Sequence, residues 1–216
     1  SEIMLQQTRV EAVKPYYERF LSELPDVSAL ASVEEDRLLK LWEGLGYYNR
    51  VRNMQKAAQK IEEEYAGKFP ENYEEIKALP GIGNYTAGAI SSFAYGIPKP
   101  AVDGNVLRVV SRLLASDEDI MKASVRTKIE NAIEPVIPED AASDFNQGLI
   151  ELGAIVCVPN GEAKCEICPL TGICEAKRLG IQNELPVKKK AKARRIEERT
   201  VLIFKDGDHV AIRKRP

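Results

Sequence analysis

The 216-residue sequence has no uninterrupted apolar run of membrane length, no secretory leader, no excess of positive charge, and no cysteine outside one short window. Its longest uncharged stretch, Ala78 to Pro98, approaches the roughly 20 residues of a membrane helix. Pro80, Gly81, Gly83 and Asn84 interrupt it, so no membrane partner is expected. Without a signal peptide, a cytoplasmic location is the expectation. The formal net charge of −2 rules out a uniformly basic surface, and any nucleic-acid contact has to be local. Acidic residues gather at Glu34-Glu35-Asp36, Glu62-Glu63-Glu64 and Asp117-Glu118-Asp119, whereas Pro186 to Pro216 holds 11 Lys or Arg against 4 Asp or Glu. All four cysteines lie between Cys157 and Cys174, which disfavours a disulfide framework in a chain with no leader. Internal repeats and low-complexity segments are also missing.

What is present is a helical text. An apolar content of 44% is enough to bury a real core, and eight or more amphipathic helices are expected before Thr200, with no strand signal among them. Ser32 with Glu35 and Asn72 with Glu75 resemble capping boxes, and Gly67, Gly96 and Gly180 sit where helices should end. Phe145, Leu149, Leu152 and Val156 form one apolar helical face leading into the cysteines. From Pro186 the basic run Val-Lys-Lys-Lys-Ala-Lys-Ala-Arg-Arg reads as a linker. Thr200-Val-Leu-Ile-Phe and His209-Val-Ala-Ile-Arg, joined through Lys205-Asp206-Gly207-Asp208, then read as a β-hairpin. The expected fold class is all-α with two lobes and a short C-terminal β-hairpin remnant. The expected divisions are 1–100, a helical barrel; 101–187, a cysteine-bearing lobe; 188–199, the linker; and 200–216, the start of a further domain. The first residues are already in helical pattern without an initiator Met, and the chain stops at Pro216 just after a strand-like run, so it reads as a fragment.

Three motifs carry chemistry. Leu79-Pro80-Gly81-Ile82-Gly83 lies between two helical patterns, and its glycines allow a tight turn whose bare backbone can approach an anion such as DNA phosphate. Those five residues serve an ordinary helix-turn-helix connection equally well. Downstream, Val102-Asp103-Gly104-Asn105-Val106 puts a carboxylate at the mouth of a helix, where a helix cap is the commoner role. Cys157, Cys165, Cys168 and Cys174 follow a C-x7-C-x2-C-x5-C spacing that lets four thiolates converge on one inorganic centre. A four-cysteine zinc site is the rival. Zinc ribbons usually pair two short knuckles, however, and only Cys165-Glu-Ile-Cys168 has that spacing, which favours iron–sulfur.

Hairpin, aspartate and cysteine loop in this order resemble the helix-hairpin-helix base-excision DNA glycosylases over almost the whole chain to Val187. The resemblance implies that Leu79, Gly81 and Gly83 bind phosphate, with a monovalent cation at the hairpin, and that Asp103 is the catalytic aspartate. It implies a 4Fe-4S cluster on the four cysteines, although the family's first interval is usually six residues and here it is seven. Tyr85 stands where the endonuclease III-like branch carries a Schiff-base lysine, so strand-cutting lyase chemistry is not expected. Ser1-Glu2-Ile3-Met4-Leu5-Gln6-Gln7-Thr8 resembles the opening motif of the branch that removes adenine mispaired with 8-oxoguanine or guanine. Carried over, Glu2 is the acid, Tyr85 and Asn105 hydrogen-bond the two carboxylates, and Gln147 contacts the extruded adenine. Gln7 intercalates, and Leu45-Gly46-Tyr47-Tyr48 forms a wedge beside the opposite base, so Leu45 and Tyr47 count among the DNA-binding residues. The implied partner is double-stranded DNA with adenine opposite 8-oxoguanine or guanine, bound by a monomer. Two alternatives remain at this point: an endonuclease III-like pyrimidine glycosylase with lyase activity, and a non-catalytic iron–sulfur DNA-binding module.

Overall fold

The computed structural model describes residues 1–189, 196–198, 200 and 202–212. Most of the expected basic linker, residues 190–195 and 199, lies outside them. Among the described residues no strand precedes position 200, and no helix is long and apolar enough to cross a membrane. The helices are α1 (Glu2–Leu5), α2 (Val10–Glu23), α3 (Val27–Ser32), α4 (Glu35–Trp42), α5 (Asn49–Tyr65), α6 (Tyr73–Lys77), α7 (Asn84–Tyr95), α8 (Gly104–Leu113), α9 (Ala123–Ile133), α10 (Ala142–Glu151) and α11 (Glu175–Leu179).

Local chemistry sets several of these boundaries. The Asp26 carboxylate accepts from Ala29 N at 2.8 Å to start α3, and Asn72 Oδ1 accepts from Glu74 N at 2.9 Å to start α6. Gly96 and Gly180 end α7 and α11 in the left-handed conformation that glycine adopts without strain. The expected box at Ser32 and Glu35 does not form. Ser32 closes α3, its hydroxyl donating to Ser28 O at 2.8 Å, and α4 begins after Glu34 with no side-chain cap. A serine in a last helical turn has a carbonyl four residues back within reach, and that local bond wins.

The core is divided. One cluster joins Met4, Val13, Phe20, Leu38, Trp42 and Val51 from α1, α2, α4 and α5. The Phe20 ring meets Trp42 edge-on, centroids 6.1 Å apart, an arrangement worth about 0.5–1.5 kcal/mol beyond area burial. A second cluster draws on Val102, Leu107, Val110, Ile129, Ile133 and Ala142, with Phe145 and Leu149 packed against it. Beyond α10 the helix continues as a π-helical turn, Leu152–Val156. The wider turn breaks the expected single apolar face, and Gly153 takes the buried position there. α1 touches α2, α5 and α7, so the first residues of the chain pack against the helix that follows the hairpin.

The C-terminal hairpin is shorter than expected and moved inward. β1 (Lys205–Asp206) pairs antiparallel with β2 (His209–Val210), Lys205 opposite Val210 and Asp206 opposite His209. Gly207 and Asp208 therefore make a two-residue turn, with Gly207 at φ +55°, and the expected loop supplies the strand residues. One further bond, Ala211 N to Phe204 O at 3.0 Å, extends the pairing. Val201 and Arg213, which the sequence reading places in the strands, lie outside the described residues.

Candidate active site

Asp103 is the N-cap of α8. Its Oδ1 accepts from Asn105 N and Val106 N, each at 2.8 Å, and its Oδ2 accepts from Asn105 Nδ2 at 2.8 Å. Helix cap and candidate catalytic carboxylate are thus one group, held by three donors at the positive end of a helix. The chain entering Asp103 is fixed by Asn146, whose buried side chain accepts from Ala101 N at 2.8 Å and donates to Lys99 O and Ala142 O at 3.0 Å. Sequence reasoning passed over Asn146 in favour of its neighbour Gln147. The structure places Gln147 on the exposed face of α10, where its Nε2 donates to Ser143 Oγ at 2.8 Å, and it does not line the cavity that holds Asp103. One residue along a helix turns a side chain by about 100°, and that rotation exchanges the two.

Glu2 comes from the other side. Tyr85, in the first turn of α7, donates its hydroxyl to Glu2 Oε2 at 3.3 Å, and Gln6 Nε2 donates to Thr86 Oγ1 at 3.1 Å, so α1 is tied to α7 at two points. Burial pushes the Tyr85 phenol well above its ordinary value, and the charges of Glu2 and Asp103 push it further. Both carboxylates are therefore near the same ring. Because the folded state holds this proton more tightly than the unfolded one, ionisation of Tyr85 works against folding as pH rises past its unfolded value. A tyrosinate absorbance titration comparing the protein with Tyr85→Phe should show no difference below about pH 10. A tyrosinate signal missing from the variant at lower pH would contradict this placement.

Asp103, Tyr85, Gln7, Tyr47, Tyr48 and Arg126 line an open cavity of about 810 Å³. Glu2 opens instead onto a separate, mostly apolar groove with Ile3, Phe93 and Tyr95, and the bond from Tyr85 ties it to the residues of the first cavity. Gln7 (φ +58°) and Tyr47 (φ +49°) are exposed non-glycine residues in the left-handed region, a conformation costing about 1–3 kcal/mol each. Leu45 requires a correction: it is 8% exposed and belongs to the core around Trp42, so its side chain is packing and only Tyr47 and Tyr48 of that loop face outward.

The hairpin joins α6 to α7. Leu79 is 3% exposed and buried with Ala57 and Ile61, leaving only its backbone for a ligand. Gly81, at φ +80°, has Asn53 Cβ 2.7 Å from where its own Cβ would lie. Gly83 caps α7 without a side chain and has open space where a Cβ would lie, so no side-chain cap satisfies the first N–H groups of this 12-residue helix.

Cys157, Cys165, Cys168 and Cys174 line one small cavity of about 30 Å³. Burial pushes the Cys165 thiol up, Lys177 draws it down, and Cys174, Cys157 and Cys168 push it up again, so the four sulfurs feel one another. Among the described residues no three His, Cys, Asp or Glu side chains close on a single metal ion. Two buried arginines on α8 connect this cavity to Asp103. Arg112 Nη1 donates to Cys157 Sγ at 3.2 Å and to Val158 O at 3.0 Å. Arg108 donates through Nε to Cys157 O at 2.8 Å and through Nη2 to Gly153 O at 2.6 Å and Asn105 Oδ1 at 2.8 Å. Asn105 completes the path to the aspartate. Sequence reasoning missed both arginines, because on a helical wheel they fall opposite Val106 and Val110, on the side of α8 where charged residues usually meet solvent, and only the packed structure buries them.

The model for the HhH-GPD superfamily of base excision DNA repair proteins matches residues 1–135. The chain is 42% identical over 176 residues to an adenine DNA glycosylase of Buchnera aphidicola subsp. Acyrthosiphon pisum, covering 82% of this chain and 50% of that protein. It is 40% identical over 186 residues to the adenine DNA glycosylase of Homo sapiens, covering 86% of this chain and 34% of that one. The chain thus spans half the length, or less, of these relatives. Among solved structures it is similar to a thermostable thymine-DNA glycosylase, with TM-score 0.73 and 27% identity over 82% of each chain. It is also similar to a non-covalent endonuclease III–DNA complex, with TM-score 0.70 and 26% identity over 84% of this chain and 83% of that one.

Proposed function

Since this chain belongs to the HhH-GPD superfamily of base excision DNA repair proteins, we propose that it is the catalytic core of a monofunctional adenine DNA glycosylase acting on adenine opposite 8-oxoguanine or guanine. The observation that carries this reading is the convergence on Tyr85: Glu2 from α1 bonds its hydroxyl, and the charge of Asp103 from α8 reaches the same ring. Adenine leaves poorly as an anion, so a proton has to reach the base while positive charge builds on the sugar. Glu2 gives its proton to N7, the bond between C1′ and N9 breaks, and adenine departs neutral. Asp103 faces the cationic sugar, and water adds at C1′ with loss of a proton, leaving an abasic site. Tyr85 orients Glu2. A tyrosine cannot form a Schiff base, so the chain supplies no lyase step at this position.

The exposed Gly81 and Gly83 backbone and the uncapped start of α7 suit a DNA phosphate, with a monovalent cation on the hairpin carbonyls. Gln7 and Tyr47, on the rim of the Asp103 cavity, are the residues that would enter the base stack. Four sulfurs around one cavity, with Arg112, Lys164 and Lys177 beside them to offset thiolate charge, support a 4Fe-4S cluster, which needs ligands spread around something larger than one ion. Such a cluster supplies structure and takes no part in the hydrolysis; iron and acid-labile sulfide should co-purify, and zinc in their place would overturn this assignment. The separate core clusters on either side of residue 100 support dividing the chain into the two lobes expected from sequence.

The test of the function is release of free base from duplexes carrying adenine opposite 8-oxoguanine, adenine opposite guanine, or thymine glycol. Strand breaks should appear only after alkali, and borohydride should trap no protein on DNA. Failure to release adenine from either adenine duplex, or alkali-independent cleavage, would remove the proposal.

A further inference from the structure

We infer that Arg50 is a positioning residue for base extrusion, holding the Gln7 and Tyr47 segments together as one probe; the inference rests on reading this cavity as a place where a nucleotide is turned out of duplex DNA. Arg50 lies in the first turn of α5, half-buried. Its Nη1 donates to Ile3 O at 3.1 Å, Met4 O at 2.9 Å and Gln6 O, and its Nη2 donates to Thr8 Oγ1 at 3.2 Å, Leu45 O at 3.2 Å and Gly46 O at 3.3 Å. The guanidinium also lies over the Trp42 ring at 5.3 Å and the Tyr47 ring at 5.5 Å.

The chemistry of this arrangement is specific. A helix as short as α1 leaves its last carbonyls without helical partners, and a planar fork with five donors can serve several of them together with a second loop. An ammonium cannot span both. Gln6 and Thr8 flank Gln7, and Leu45 and Gly46 immediately precede Tyr47, so the acceptors of Arg50 adjoin both of these exposed residues held in the left-handed conformation. Strain of that kind persists only where the surroundings over-determine it. Here a single side chain supplies those surroundings on both sides of the cavity that holds Asp103. Burial draws the guanidinium down from its ordinary value, and its Nε is buried without a partner, so the head group is oriented by these carbonyls. Glu2 shares α1 with two of the acceptors, which links the probe to the acid.

Arg50→Lys and Thr8→Val in the full chain test this on two duplexes: adenine paired opposite 8-oxoguanine, and adenine in a bulge where the stack is already open. In single-turnover assays Arg50→Lys should lose about tenfold or more on the paired duplex and less than about threefold on the bulge. Thr8→Val should show the same selectivity with a smaller loss, which keeps the question decidable if Arg50→Lys folds poorly on melting. Fluorescence of 2-aminopurine at the target position reads extrusion without chemistry and should rise with the parent protein and much less with Arg50→Lys. Equal losses on both duplexes, no loss on either, or an undiminished fluorescence rise would each overturn the inference. Absence of base release by the parent protein would instead remove the glycosylase reading, with the fluorescence comparison still deciding the role of Arg50.

Discussion

Asp103→Asn is expected to lower the single-turnover rate of adenine release by roughly 10²–10⁴-fold, the usual range for losing a charged group at the reacting centre. The variant should remain folded, because asparagine is as good an N-cap as aspartate and its Oδ1 can still accept from Asn105 N and Val106 N. The second oxygen is different. Asn105 Oδ1 is committed to Arg108 Nη2, so Asn105 Nδ2 has to face residue 103, and an amide there sets donor against donor. That mismatch should cost on the order of 1 kcal/mol and lower the melting temperature slightly. The network beneath the site therefore selects a carboxylate over its isostere. A rate loss far beyond the change in folded fraction, with DNA affinity retained, is the expected pattern; a variant keeping more than about a tenth of the parent rate would take Asp103 out of the chemistry. Glu2→Gln should behave alike in rate. Its stability effect should be smaller, since its carboxylate accepts only a long 3.3 Å bond, from Tyr85, among the described residues.

Gly153→Ala should be damaging although it lies away from the two carboxylates. A Cβ at position 153 would lie 2.6 Å from Asn105 Cβ and 3.0 Å from Asn105 Cα and C, and the Gly153 carbonyl is already drawn to Arg108 at 2.6 Å. The π-helical turn and the start of α8 would have to separate, an overpacking cost of about 1–3 kcal/mol. Because α8 begins at Asp103, base release should fall by more than the loss of folded protein explains. Gly148→Ala, five residues earlier, is the control: its added Cβ meets nothing within 4 Å, and alanine in an exposed helix stabilises by about 0.5–1 kcal/mol. Melting curves and base release for the two variants should diverge in sign. A Gly153→Ala protein matching its parent in both would mean that α8 is not held by this contact.

Local patterns were legible in the sequence because they depend on neighbours along the chain. The helical texture, the glycines that stop α7 and α11, Asp103 at a helix mouth and the cysteine spacing all follow from propensity, capping and covalent spacing, which a single strand of text contains, whereas the meaning of Tyr85 came from the family resemblance. The tertiary structure decided which face of each element was used. It buried Leu45 in the core and left Tyr47 outside, chose Asn146 over Gln147 to hold the approach to Asp103, and placed Ser32 at the end of a helix. It also joined Arg50 to carbonyls more than 40 residues away and ran Arg108 and Arg112 from the cysteine cavity to Asn105. Those outcomes depend on which backbone carbonyls are left without helical partners once the helices pack, and that is a property of their arrangement in space.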